Sequence, residues 1–228
     1  IVLGGALAGC VLGCRVQPTD FNPPDANVLF RDEFNSATLK AGWTLTGEDP
    51  TRESLTERPG FMRIVAQDAA TTEPSLLLRE ISGDFVLTTR MVFGPAPDRL
   101  LAGLLVQGED GRMASLGLLH ASRAGGTFRG VLALADPGGG APVDHASARY
   151  GSTEVYLRLE RRADSFDASY SEDGVTYTPV GTVTTSLSDN VQVGIGIAAS
   201  ENCNSQCDVA SPADFDFFEI TAVGGAGG

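Results

Sequence analysis

The sequence predicts an all-β chain folded as a two-sheet sandwich, and three observations predict it. Short apolar or alternating runs recur along the body at about 8–12-residue spacing, each bounded by Gly, Pro, Asp or Ser. No window of the body sustains a helical period over three turns. The chain has 228 residues, 42% hydrophobic and 20% charged, a size and composition suited to one large globular sandwich domain.

The elements follow in order within a body assigned to residues 27–223. Phe61-Met62-Arg63-Ile64-Val65 follows the turn pair Pro59-Gly60. Ser75–Ile81 and Phe85–Phe93 are separated by Ser82-Gly83-Asp84, which predicts a hairpin. Leu100–Gln107 and Ala114–His120 flank Gly108-Glu109-Asp110-Gly111. Phe128–Ala135 ends at Asp136-Pro137-Gly138-Gly139-Gly140. Val155–Arg161 alternates Val155, Leu157 and Leu159 with Tyr156, Arg158 and Glu160, the period-2 signature of a half-buried strand. Ser165–Tyr170 and Tyr177–Val183 flank Glu172-Asp173-Gly174, where Asp-Gly is a strong hairpin signal. Val191–Ala198 alternates Val and Ile with Gln and Gly, and Ala213–Ala222 closes the body. Residues 224–228 read as a Gly-rich flexible tail. The Pro95-Ala96-Pro97 and Gly138–Pro142 stretches are loops, because strands continue on both sides of each.

The N-terminus has a different character. Residues 1–14 carry no charge, and residues 15–26 are polar with Pro18, Pro23 and Pro24. An apolar stretch before a Pro-rich spacer reads as a membrane or secretion segment that tethers the domain. Fourteen residues as a helix reach about 21 Å, short of the roughly 30 Å hydrocarbon core. A complete span would need residues upstream of Ile1. Leu7-Ala8-Gly9-Cys10 resembles a bacterial lipoprotein box, which would make Cys10 the lipidated residue. Val11-Leu12-Gly13-Cys14 is a poorer second match, with Cys14 as the alternative, and a plain secretory segment with incidental cysteines is the third reading. All three place the domain outside the cytoplasm, in a periplasm or at a bacterial cell surface, with membrane lipids as a partner of the N-terminus.

Cysteine spacing agrees. Cys203 and Cys207 sit in a polar loop with three residues between them, a separation that a disulfide can close in an oxidising compartment. Zinc would want two-residue spacing and further ligands, and His120 and His145 lie far away in sequence. Charge excludes other classes. Lys+Arg is 16 against Asp+Glu 29, a formal charge of −13. Phosphate backbones need clustered cations, so nucleic acid is not an expected partner. Lys40 is the only lysine, which leaves P-loop and Schiff-base chemistry almost no candidates.

Val28-Leu29-Phe30-Arg31-Asp32-Glu33-Phe34 with Gly42-Trp43-Thr44, then Ser54–Ile64, then Tyr156–Arg161 leading into Ser169–Gly174, and Ala213–Ile220 at the end form a set of phrases in order. Taken together they resemble the concanavalin A-like lectin/glucanase superfamily, in the form of laminin G-like domains and the C-terminal sandwich of some β-xylosidases. The likeness covers residues 27–222 and implies a jelly-roll sandwich. It is weak for function, because this fold hosts lectins, hydrolases and adhesion modules.

Candidate sites follow from the resemblance. The superfamily's glucanases carry Glu-x-Asp-x-x-Glu on one bulged strand. Asp214-Phe215-Asp216-Phe217-Phe218-Glu219 has that spacing with an aspartate in first place. On a regular strand Asp214 and Asp216 would face one side and Glu219 the other, which does not make an acid/base pair. In related sandwiches the first and last strands are neighbours and can hold calcium between them. Asp32 with Asp214 or Asp216 would supply the oxygen ligands of a structural calcium, and solvent-facing or loop-capping aspartates are the competing reading. For sugar binding, Tyr150, Tyr156, Tyr170 and Tyr177 could line one face, although cross-strand packing is their ordinary use. Trp43 reads as a core residue. Arg90, Arg129, Arg158 and Arg161 could bind carboxylates or simply solvate strand faces. His120 and His145 have no Ser or Cys partner in a recognisable motif.

Three functions are carried forward. The first is a non-catalytic, membrane-anchored extracytoplasmic interaction module, an accessory or structural subunit of a larger membrane protein complex; energy-transducing complexes, photosynthetic or respiratory, qualify. The second is a cell-surface carbohydrate-binding module with a glycan partner. The third, motivated only by Asp214–Glu219, is a glycoside hydrolase.

Overall fold

The computed structural model describes residues 27–46, 52–65, 74–94, 100–123, 126–136, 138, 144–199 and 212–224. The apolar segment 1–14, the spacer 15–26, Cys10, Cys14, the Cys203–Cys207 pair and all but the first residue of the 224–228 tail lie outside them.

The described residues form fifteen strands and no helix. Their order is β1 (Val28–Asp32), β2 (Thr44–Thr46), β3 (Glu53–Ser54), β4 (Met62–Val65), β5 (Ser75–Ser82), β6 (Phe85–Phe93), β7 (Leu100–Gln107), β8 (Met113–Arg123), β9 (Gly126–Asp136), β10 (Asp144–Arg149), β11 (Glu154–Arg162), β12 (Ser165–Ser171), β13 (Thr178–Thr184), β14 (Asn190–Ala199) and β15 (Pro212–Ala222). One sheet runs β13-β12-β11-β6-β15-β4-β3, with β1 also paired to β15, making eight strands. The other runs β10-β9-β8-β7-β14-β5-β2. The pairing is antiparallel throughout, and the chain crosses between sheets repeatedly, as a jelly roll does.

Alternation decides which residues meet between the sheets. From the eight-stranded sheet come Phe85, Leu87, Met91 and Phe93 of β6, Val155, Leu157 and Leu159 of β11, and Phe215, Phe218 and Ile220 of β15. They pack on Leu77 of β5, Leu104 and Val106 of β7, Leu116 and Leu118 of β8, and Val193 and Ile195 of β14. Each such side chain taken out of water contributes about 1.5–3 kcal/mol before entropy is counted. At one end Trp43 packs among Phe30, Phe34 and Phe218. There Arg79 of β5 reaches to the other sheet and lies over the Phe30 ring, 3.3 Å from its centroid. Burial pushes the Arg79 pKa below its ordinary value, with the nearby Asp32 opposing that shift.

The Gly42-Trp43-Thr44 and Ser54–Ile64 phrases touch β2 and β3, which have only three and two residues; one strand, β10, escaped the sequence reading. β10 reads Asp-His-Ala-Ser-Ala-Arg and contains no large apolar residue, because it is the edge of its sheet and has little to bury.

Candidate functional site

Inside the eight-stranded sheet β15 lies between β6 and β4, and its geometry turns on a bulge. Register with β6 shifts between Phe215 and Phe217, so Asp216 is an extra residue opposite Arg90. Ala213 and Phe215 face the core before the bulge, and Phe218 and Ile220 face it afterwards. A regular strand cannot point residues three apart to the same side, and the bulge resolves that conflict. Its consequence is that Asp214, Asp216, Phe217 and Glu219 all reach the outer face. The regular-strand expectation, with Glu219 opposite Asp214, is therefore corrected. Thr89, fully buried on β6, donates its hydroxyl to the Phe217 carbonyl at 2.5 Å and so holds the bulge in place.

Each carboxylate of this row meets arginine. Arg63 grips Asp214 in a fork, Nε at 2.7 Å and Nη2 at 3.0 Å, and Arg58 Nη1 adds a third bond at 2.9 Å. Arg90 joins Asp216 at 2.7 Å to Glu154, which it reaches through Nε at 2.9 Å and Nη2 at 2.7 Å. Arg31 joins Glu219 at 2.7 Å to Glu33 at 2.5 Å. The guanidinium planes also cover rings: Arg31 over Phe217 at 4.3 Å and Arg58 over Phe61 at 3.8 Å. The face is thus a lattice of fixed guanidinium plates, carboxylates and ring edges.

Electrostatics follow from this lattice. Burial alone would push the Asp214 carboxyl up, but the bonds from Arg63 and Arg58 outweigh it and hold the group below the usual carboxylate range. The bonds from Asp216 and Glu154 raise the Arg90 pKa above its ordinary value despite partial burial. A glycosidase acid needs the opposite, a carboxyl kept protonated near neutral pH. Asp214 is held the other way, as an ionised acceptor.

The three aspartates proposed for calcium do not meet. Asp32 pairs across β1–β15 with the inward-facing Phe218, whereas its neighbour Arg31 pairs with the outward-facing Glu219. Asp32 therefore lies on the core side of the sheet and Asp214 and Asp216 on the outer side. Its oxygens accept from the Phe34 amide at 3.0 Å, the Trp43 indole N–H at 2.9 Å and the Lys40 amide at 3.4 Å, which fix the loop from 32 to 43. Among the described residues no group of three or more His, Cys, Asp or Glu converges as a metal site.

The remaining candidates divide by face. Arg90 and Arg158 lie outside, the latter donating to Glu160 at 2.9 Å. Arg161 turns inward, 3% exposed, and donates to the carbonyls of Ala163, Leu187, Ser188 and Asp189. Arg129 donates to the Ser152 carbonyl at 3.4 Å. Tyr150 and Tyr170 pack edge to face at 5.1 Å on the core side, so they line no outer platform. Tyr156 and Tyr177 stand on the outer side beside Arg90 and Arg158. Sequence inspection missed Arg31, Arg58 and Arg63, whose partners on β15 lie more than 150 residues away.

A family model described as the beta xylosidase C-terminal concanavalin A-like domain matches residues 31–221. The chain belongs to this family. Solved structures agree on the fold. A GH43 protein of Bacillus licheniformis, in its K247S mutant form, superimposes with TM-score 0.68 at 18% identity, over 85% of this chain and 39% of that one. The xylan beta-1,4-xylosidase of Bacillus halodurans gives 0.64 at 21% identity, over 84% and 38%. The present chain thus spans about two-fifths of these longer proteins. A glycosyl hydrolase family protein of Mycobacterium fortuitum gives 0.62 at 12% identity, over 85% of this chain and 99% of that one, so the sandwich also makes up nearly the whole of some solved chains. No curated protein matches.

Proposed function

We propose that this family member is a non-catalytic interaction module, held outside the cytoplasm at a membrane by its apolar N-terminal segment. It serves as an accessory or structural subunit of a larger membrane complex, docking through the arginine-laddered face of the eight-stranded sheet. The observation that carries the non-catalytic part is that Asp214, Asp216 and Glu219, the one stretch with glucanase-like spacing, are each tied to arginine. The family's own place, the C-terminal domain of a larger enzyme, also supports a module that works by contact.

The face suits a protein partner. Arginines already fixed by carboxylates and rings lose little rotamer freedom on docking, and Arg is favoured at interface centres. The same plates cover Phe217 and Phe61, so those rings are not bare stacking platforms for sugar.

The test is mild-detergent purification of the tagged full chain, followed by mass spectrometry of everything that accompanies it. A stoichiometric set of membrane proteins is expected, and the double charge reversal Arg31→Glu with Arg90→Glu is expected to release it. A chain that purifies alone, or partners retained by that variant, would overturn the docking face. A chain recovered without Ile1–Gly9 and with a lipid mass on Cys10 would establish the tether as a lipid anchor.

A further inference from the structure

Arg79 presents a guanidinium that its own fold leaves unsatisfied. It pairs in register with the core residue Val193, so it points between the sheets, one step beyond the Thr44–Leu78 pair. Its Nε and Nη1 are buried and have no hydrogen-bond partner. One face of the guanidinium lies on the Phe30 ring, 3.3 Å from the centroid, and Trp43 stands at 5.7 Å. The rings attract the charge but accept nothing from the N–H groups in the guanidinium plane. Arg63 shows what that plane takes when it is satisfied: its Nε and Nη2 grip the two oxygens of Asp214.

The carboxylate that bears on Arg79 is Asp32, and it is already occupied. Its Oδ1 accepts from the Phe34 amide, and its Oδ2 from the Trp43 indole and the Lys40 amide. Its attraction does not offset burial, and the net shift of the Arg79 pKa stays downward. A buried N–H without an acceptor is costly, and more so on a charged group. The way in lies beside Gly42. A Cβ there would touch Arg79 Nη2 at 3.5 Å, so the glycine leaves that side without a side chain. Lys40, Ala41 and Gly42 are all exposed, and the Lys40 amide holds Asp32 at only 3.4 Å.

Geometry then selects the guest. Phe30 covers a face of the guanidinium, so an acceptor must arrive in its plane. Nη2 shares one edge with Nε and the other with Nη1, and either edge matches a planar group with two oxygens. A chloride ion offers one centre to two diverging donors. A phosphate dianion would bring a second charge toward Asp32 in a chain whose net charge is already −13. We propose that Arg79 is a carboxylate-binding position, entered beside Gly42 as the exposed 40–42 stretch moves aside, with the two oxygens held in the plane of its guanidinium. This inference goes beyond the docking role and uses residues outside the arginine ladder, so either can fail without the other.

The test uses the isolated full chain at constant ionic strength. It is titrated with sodium formate, sodium N-acetylglycinate, N-acetylglycinamide and sodium chloride, and followed by the Arg79 Nε–H and Gly42 amide resonances. Saturable shifts of both resonances in about the millimolar range are expected with formate. Equal binding of N-acetylglycinate would support a carboxyl carried on a partner chain, and formate alone would support a small free carboxylate. Arg79→Lys keeps the charge and loses the fork, and is expected to weaken binding about tenfold or more. Arg79→Met removes the unsatisfied donors, and is expected to raise the thermal midpoint without carboxylate and to abolish any gain from formate. The proposal is overturned by no saturable shift with either carboxylate, by shifts that map away from Arg79 and Gly42, or by an equal response to chloride or N-acetylglycinamide. It is also overturned by an Arg79→Lys chain that folds and binds as the parent does, or by an Arg79→Met chain that melts lower than the parent in the absence of carboxylate.

Discussion

The two outer faces of this sandwich are built from opposite materials. On the eight-stranded sheet, long charged side chains stand in crossed pairs: Arg63 with Asp214, Arg90 with Asp216, Arg31 with Glu219. On the seven-stranded sheet, one transverse register row reads Leu76, Gly196, Gly103, Gly117, Leu132 across β5, β14, β7, β8 and β9. Leucines there lie down over glycines: a Cβ on Gly196 would stand 2.5 Å from Leu76 Cδ2, and one on Gly117 2.9 Å from Leu101 Cδ1. Leu76, Leu78, Leu105, Leu119 and Leu132 are accordingly buried though none belongs to the central core. The contrast teaches where stability and recognition reside. Close packing is intolerant of added volume, whereas half-exposed ion pairs contribute little each and remain available for exchange with a partner.

The sharpest way to break this comparison is to overfill the packed face. A Cβ at Gly103 would meet the Leu116 carbonyl at 2.1 Å and the Gly117 Cα at 2.6 Å. Backbone cannot yield as a side-chain tip can, so Gly103→Val is expected to cost about 3 kcal/mol or more. Chemical denaturation measures it. A midpoint within error of the parent chain would show that the glycine row is not a packing requirement.

The second prediction concerns an arginine that belongs to neither outer face. Arg161 of β11 donates to three carbonyls of the 187–189 segment and to that of Ala163. Arg161→Met keeps much of the stem and removes every donor, leaving carbonyls short of partners inside the fold. A loss of about 2–3 kcal/mol is expected, and faster amide exchange is expected first in residues 185–190. The matched change on the ladder, Arg90→Met, should cost about 1 kcal/mol or less, because Arg90 and Glu154 are partly open to water. Equal losses for the two variants would erase the distinction between a structural and a recognitional arginine.

A third test sits between these extremes. Asp214 is 5% exposed and leans on two arginines. Its folded pKa lies below the unfolded one, so its contribution is present above the unfolded value near 3.9 and fades as pH falls through the folded value. Arg63→Ala removes the forked partner. The variant should lose about 1–2 kcal/mol at neutral pH and show a shallower acid limb, because less stabilisation remains to be lost on protonation. An acid limb identical to that of the parent would mean that Arg58 alone sets the Asp214 charge.

How much of this was legible beforehand depends on separation along the chain. The alternation of Val155, Leu157 and Leu159 located β11, and Asp173-Gly174 located the turn between β12 and β13. The bulge in β15 was written in the spacing of Phe215 and Phe218, two large apolar residues three apart, which a straight strand could not bury together. The ladder was not legible. Arg63 and Asp214 are 151 positions apart, and only the register of β4 against β15 sets them opposite each other. Asp32 misled for a related reason. Its charge suggested an ion, while its neighbours Phe34 and Trp43 supply the amide and indole N–H donors that occupy it.

The smallest expected effect separates a local turn from the ladder. Asp173 accepts from the Thr176 and Val175 amides, the main cause, and from the Ser171 hydroxyl, and these hold its carboxyl at about 2, below the ordinary 3.8. Because the folded value is the lower one, the turn's contribution is complete above about pH 4 and is lost as pH falls from there through about 2. A carboxyl resonance titration should show that midpoint directly. Ser171→Ala removes one donor while leaving both amides, so the midpoint should rise by a fraction of a unit without a change in fold. Asp173→Ala should leave Arg63–Asp214 and the acid limb assigned to it unmoved, since the two sites share no residue. A midpoint for Asp173 near 4 would mean that the turn is not closed in solution.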